Sequence, residues 1–220
     1  MSGESREKAL SMFKKEAAIL AKLNHEDIAK IYDHFVENER HYMILEYISG
    51  EDLRRLVARR GPLSERVVYR WAKQLAEILV YLESHTPPVV HRDLTPENLV
   101  LRGDGKLALI DFGAANEFIG TLTGTVVGKQ GYISPEQFRG KAECKSDVYS
   151  LGCTLHFLLT AEEPEALEVS QPRTLNFQVT DGMNDLILAM TAQEAQMRPS
   201  AKHIVKILEL LNTYKEATVE

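Results

Sequence analysis

The eight residues His91-Arg92-Asp93-Leu94-Thr95-Pro96-Glu97-Asn98 carry the densest chemistry in the chain. An aspartate stands five residues ahead of an asparagine, on a segment broken by proline. That spacing lets the carboxylate orient a hydroxyl while the amide reaches a metal. A second acidic group follows at Ile110-Asp111-Phe112-Gly113, an aspartate ending an apolar run ahead of a flexible glycine. Phosphoryl transfer asks for little covalent help from a protein, but it needs metal ions on the phosphates and an in-line nucleophile. Asn98 and Asp111 offer hard oxygen ligands for Mg²⁺, and Asp93 offers the orienting carboxylate.

These groups need a scaffold, and apolar spacing outlines one. Leu10, Phe13, Ala17, Leu20 and Leu23 recur at helical steps over Ser5–Leu23. Ile28–Phe35 and His41–Tyr47, joined by a polar ENER loop, read as a hairpin. Glu51–Arg60 reads as a short helix stopped by Gly61-Pro62. Ser64 is expected to cap a long helix with the stripe Val68, Trp71, Leu75, Leu79 and Leu82. Short apolar runs between Val89 and Phe112 predict small hairpins, and the Gly- and Thr-rich stretch 120–131 predicts a loop. From Lys145 onward helical stripes alternate with acidic or proline-bearing connectors, the last helix starting at Ser200.

Composition narrows the field. The 220 residues are 44% hydrophobic and 26% charged, as in an ordinary globular protein. A net charge of −6 argues against a nucleic-acid surface. The longest uncharged stretch, Val148–Ala161, is too short to span a bilayer and reads as a buried helix. Cys144 and Cys153 allow one disulfide at most, which with the lack of a signal-like N-terminus points to a cytoplasmic protein.

In their order along the chain the motifs resemble the protein kinase superfamily, nearest its bacterial Ser/Thr members. HRDLTPEN looks like the catalytic loop, and DFG like the metal-binding start of the activation segment. Ser134-Pro135-Glu136 looks like that segment's end. Ser146-Asp147-Val148-Tyr149-Ser150-Leu151-Gly152 resembles the helix that anchors the catalytic loop, and Arg198-Pro199-Ser200 the terminal arginine motif. The resemblance implies an α+β, protein-kinase-like fold. Its mostly helical C-lobe would cover residues 49–220, and a truncated N-lobe of one helix plus a β-hairpin would cover residues 1–48. It implies transfer of the ATP γ-phosphate to protein hydroxyls with Mg²⁺. Asp93 would orient the acceptor, and Asn98 and Asp111 would hold the metal. The Glu46–Ile48 backbone would meet adenine with Leu45 guarding the pocket behind it. Asp52 would reach the ribose, Val100 would pack under the base and Glu97 would line the site. Asp147 becomes a buried anchor, Glu136 pairs with Arg198, and regulatory packing runs through Leu20, Ile31, Phe112 and His91. Arg92 would bind a phosphate on Thr121, Thr123 or Thr125, with Thr125 at the family's spacing. The arginines at 54, 55, 59 and 60 and the glutamates at 162, 163, 165 and 168 read as solvated faces.

The sequence also departs from the family. The Gly-rich phosphate loop and the strand lysine are missing, and Glu16 falls where the family's helix glutamate belongs. The chain is therefore expected to begin at that helix and to be weakly active alone. Its hairpin would keep an open edge that favours self-association. A pseudokinase or scaffold module is the alternative. A small-molecule phosphotransferase shares the Asp…Asn…Asp logic but not the later motifs. Position 95 is Thr where Lys is usual, and position 129 is Lys where Thr is usual. Lys129 is accordingly expected to reach toward Asp93 and Thr95 as a replacement cation in the catalytic set. A protein substrate is expected, with no nucleic acid and no membrane contact.

Overall fold

Strand-like patterning before residue 50 and helical spacing after residue 64 divide the chain into a sheet-bearing part and a helical part. The computed structural model describes residues 21–38, 40–112 and 130–217, and it also places two short strands within the later, mostly helical part. In chain order the elements are β1 (Ile31–Glu37), β2 (Arg40–Leu45), β3 (Glu51–Asp52), α1 (Leu53–Arg60) and α2 (Glu65–Glu83). They continue with a 3-10 turn (Pro96–Asn98), β4 (Leu99–Leu101) and β5 (Leu107–Leu109). After these come α3 (Pro135–Phe138), α4 (Cys144–Thr160), α5 (Asp181–Met190) and α6 (Ala201–Ala217). The fold is α+β. The helix expected over Ser5–Leu23 falls almost wholly outside the described residues.

Helix α4 is apolar on every side, so it can only be satisfied inside other helices. Ser146 through Thr160 are all buried. Each fully enclosed Leu or Phe there contributes about 1.5–3 kcal/mol. Ala161, at φ 60°, ends the helix in a left-handed cap whose N–H donates to Phe157 O at 2.8 Å. The stripe Val68, Trp71, Leu75, Leu79 and Leu82 of α2 faces this core. Ser64 does hold the N-cap position of α2, but its hydroxyl makes no capping bond. Glu65 instead accepts from the Thr180 amide at 2.7 Å and the Thr180 hydroxyl at 2.9 Å, joining two helix starts.

β1 and β2 form an antiparallel hairpin with Ile31 opposite Leu45. β3, β4 and β5 form a second antiparallel sheet, with Asp52 opposite Val100. Glu51 and Asp52, expected to open a helix, instead form this two-residue strand, and Asp52 caps α1 by accepting from the Arg55 amide. Gln74 of α2 fixes the β4–β5 hairpin: its amide donates to Leu107 O and its carbonyl accepts from Leu107 N, each at 3.0 Å. A parallel bridge, Ile28 to Leu109, ties the stretch ahead of β1 to β5.

Candidate active site

A strand-turn-strand path brings the three candidate residues Asp93, Asn98 and Asp111 to one turn. Asn98 closes the 3-10 turn, and its Nδ2 donates to Asp93 O at 2.8 Å and to Asp93 Oδ2 at 2.9 Å. Asp93 is 8% and Asn98 5% exposed, so the carboxylate is held in a fixed pose by a buried donor. The Ile110 amide donates to Asn98 O at 2.9 Å, which sets Asp111, one residue on, beside the same turn. Asp111 is exposed and adopts φ 51°, a left-handed conformation that aspartate tolerates better than most residues. The amide oxygen of Asn98 makes no hydrogen bond among the described residues. With the exposed carboxylate of Asp111 it fits the two hard ligands that a phosphate-bound Mg²⁺ needs from protein. No group of three or more acidic, His or Cys side chains capable of holding a metal occurs among the described residues, so any metal here would rely on phosphate oxygens as well.

The turn is pinned from below. Asp147 of α4 accepts from the His91 amide at 2.7 Å and the Arg92 amide at 2.8 Å. Arg92 takes φ 70° there, so the backbone is bent to point both N–H groups one way. Burial pushes the Asp147 carboxyl up to about 7, against the pull of the two amides and the Arg92 charge. Thr154 donates to Leu94 O at 2.8 Å, and Gln137 Nε2 donates to Arg92 O at 2.7 Å. The Phe112 ring lies 4.5 Å from that of His91, joining the end of β5 to the turn.

On the other side of β4, the 46–52 connector passes close to Val100. A Cβ on Gly50 would come within 2.2 Å of Leu101 O and 2.7 Å of Val100 Cγ1, so only glycine permits that approach. The pairing of Asp52 with Val100 thus brings two of the expected nucleotide-lining residues side by side. The Glu46 amide donates to Lys30 O, whereas Ile48 makes no backbone hydrogen bond among the described residues. Asp52 is not idle: it caps α1 and pairs with Arg55 at 3.2 Å. Leu45 is 45% exposed at the end of β2.

Glu136 and Arg198 pair as expected, through hydrogen bonds of 2.7 and 2.9 Å. The solvated reading of the arginine and glutamate runs needs correction at two positions. Arg54 is half-buried and makes ion pairs with both Glu97 and Glu163, and Glu163 also accepts from the Tyr132 hydroxyl. Local charge pattern gives no hint of this, because the partners lie far apart in sequence. Glu97 therefore faces Arg54 through one oxygen. Lys129, Thr121, Thr123, Thr125, Gly113, Glu16 and Leu20 lie outside the described residues.

Known proteins resemble this chain in sequence and fold. The chain is 38% identical over 167 residues to the serine/threonine-protein kinase PknA of Nostoc sp., covering 71% of this chain and 29% of that protein. It is 32% identical over 215 residues to serine/threonine-protein kinase D of Synechocystis sp., covering 92% and 41%. The chain thus spans about a third of the length of the curated relatives it matches. The crystal structure of Rad53 1–466 in complex with AMP-PNP superposes with a TM-score of 0.74 at 25% identity, over 89% of this chain and 53% of that one. Residues 2–208 match the family model of the protein kinase domain, and with the Asp93–Asn98–Asp111 geometry this makes the chain a member of the protein kinase family.

Proposed function

We propose that this domain transfers the γ-phosphate of ATP to serine or threonine hydroxyls of a protein substrate, with Mg²⁺ as cofactor. The observation that carries the reading is the Asn98 amide holding the Asp93 carboxylate, with Asp111 tied to the same turn. When bound, Mg²⁺ neutralises charge on the phosphates and aligns the terminal one. Asp93 orients the incoming hydroxyl and accepts its proton. Asn98 and Asp111 supply the metal's protein ligands. The free backbone groups around Ile48, with Glu46, meet adenine. Val100 packs against the base, Asp52 faces the ribose and Glu97 borders the cleft.

Lys129 completes this reading as the cation near Asp93. Among the described residues the Thr95 hydroxyl is buried without a hydrogen-bond partner, and the turn from Asp93 to Asn98 contains no Lys or Arg. A phosphate on Thr125 facing Arg92 is proposed as the activating modification. The free cysteines, buried Cys153 and partly exposed Cys144, support a reducing, cytoplasmic setting. No described helix is long and apolar enough to cross a membrane. The exposed Tyr32, Val36 and Ile44 of the β1–β2 hairpin support self-association.

The test is transfer of radiolabel from γ-labelled ATP to a protein acceptor, with and without Mg²⁺, for the native chain and Asp93→Asn. Mg²⁺-dependent labelling lost in the variant supports the kinase reading. Nucleotide binding without labelling of any acceptor favours the scaffold reading.

A further inference from the structure

One arginine beside the catalytic turn is enclosed by two carboxylates and two aromatic rings. Arg54 stands in the first turn of α1. Its Nε pairs with Glu97 and its Nη1 with Glu163, and its Nη2 lies 3.3 Å from Glu163 Oε2 and 3.4 Å from the Tyr132 hydroxyl. The guanidinium carbon is 5.0 Å from the Phe157 ring centre and 6.0 Å from that of Tyr132. Burial works against the Arg54 charge. Glu163, Tyr132 and Glu97 outweigh it and hold its pKa above the ordinary arginine value.

The slot is shaped for a planar, fork-bearing cation: paired acceptors at the edge and aromatic faces above. It is also preformed. A Cβ on Gly131 would come within 2.2 Å of Pro164 O, so the loop bearing Glu163 is packed directly on the segment bearing Tyr132. Arg54 neutralises the Glu97 charge through Oε1, and among the described residues Glu97 Oε2 makes no hydrogen bond. The Arg54 side chain keeps 28% of its exposure, so the slot opens to solvent on one side.

Resting on the kinase reading, we propose that Arg54 is a specificity-determining residue. It fills a guanidinium slot from the enzyme's own chain, so the cleft does not select substrates by an arginine near the acceptor hydroxyl. Glu97 and Asp93 share one tight turn, and an extended peptide advances ~3.3–3.6 Å per residue. A side chain close to the acceptor serine therefore passes Glu97, and it finds that carboxylate already paired. Removing Arg54 would leave two carboxylates, the Tyr132 hydroxyl and two rings facing solvent, a site for a substrate arginine.

The experiment uses the full chain as native protein, Arg54→Leu, the milder Arg54→Gln, and the double variant Arg54→Leu/Glu163→Gln. Each is assayed on single-serine peptides that carry arginine or alanine at each flanking position. Native kcat/KM should change less than about threefold with arginine, whereas both single variants should favour arginine at one position by about tenfold, the scale of a charge-assisted hydrogen bond. The double variant should lose that gain. Fluorescence anisotropy of a labelled arginine peptide without ATP should show the same tightening, so the slot is read even if no variant transfers phosphate, a result that would sink the kinase reading alone. The proposal is overturned if the native enzyme already prefers arginine. It is equally overturned if folded single variants lose activity evenly on all peptides with no change in anisotropy, which would make Arg54 only a brace.

Discussion

Arg198 and Glu136, 62 residues apart, form a two-pronged ion pair in which the guanidinium side chain is wholly buried. The other Arg198 donors reach Ala192 O, Lys145 O and Gln193 O, so each N–H of the group finds an acceptor. Its face also covers the Tyr149 ring at 4.9 Å. This pair ties the end of the activation segment, through Ser134 and Ser146 on the same carboxylate, to α4 and the start of α6.

That pair sets the first prediction. Burial would raise the Glu136 pKa, but hydrogen bonds from Arg198, Ser146 and Ser134 outweigh it and hold the carboxyl at about 2, below the usual 4.5. Its contribution is present above pH 4.5 and is lost as pH falls toward 2. Glu136→Gln should cost on the order of 2–4 kcal/mol near neutrality by leaving Arg198 buried without its counter-charge. Urea unfolding at a series of pH values should also show a flatter acid limb in the variant.

Asp147 predicts the opposite slope. Its folded pKa of about 7 exceeds the ordinary 3.8, so its contribution is present below pH 3.8 and is lost as pH rises through 7. Asp147→Asn should remove that slope. At low pH it should cost less than about 1 kcal/mol, because the protonated carboxyl, like the amide, accepts through one oxygen only from the His91 and Arg92 N–H groups. The same urea series reads both effects.

Asp111→Asn should lower phosphotransfer at least about a hundredfold by weakening the metal ligand set. Asparagine occupies the left-handed region as readily as aspartate, so the melting temperature should stay close to native. A radiolabel assay beside a thermal melt decides it, and an active variant would remove Asp111 from the metal assignment.

On the proposed role of Lys129, Lys129→Met should cut phosphotransfer by about a hundredfold, the usual cost of losing one transition-state charge partner. It should change stability by less than about 0.5 kcal/mol, the scale of a substitution that removes charge without removing packing. Steady-state kinetics with varied ATP would check this, and unchanged kcat/KM would make the exchange of Thr95 and Lys129 a coincidence.

Much of this protein was determined by sequence alone, because the decisive signals are local. The uncharged run from Val148 to Ala161 could only be an enclosed helix. The spacing of Asp93, Asn98 and Asp111 could serve phosphoryl transfer without knowledge of the fold. The Asp147 anchor and the Glu136–Arg198 pair were implied by the family resemblance that the ordered motifs carry. Tertiary structure decided what depends on partners distant in sequence. Glu51 and Asp52 look helical in isolation but become a strand because Leu101 and Val100 offer open backbone groups opposite them. Ser64 stands at a helix start yet leaves its hydroxyl out of the cap, while Glu65 reaches across to Thr180. Arg54 looked like one of four solvated arginines until the fold brought Glu97 and Glu163 to it from opposite directions. A charge pattern reports neighbours three or four residues away on one helix. It carries no information about a carboxylate 109 residues further along the chain, and only packing of α1 against the catalytic turn and the loop after α4 makes that pair.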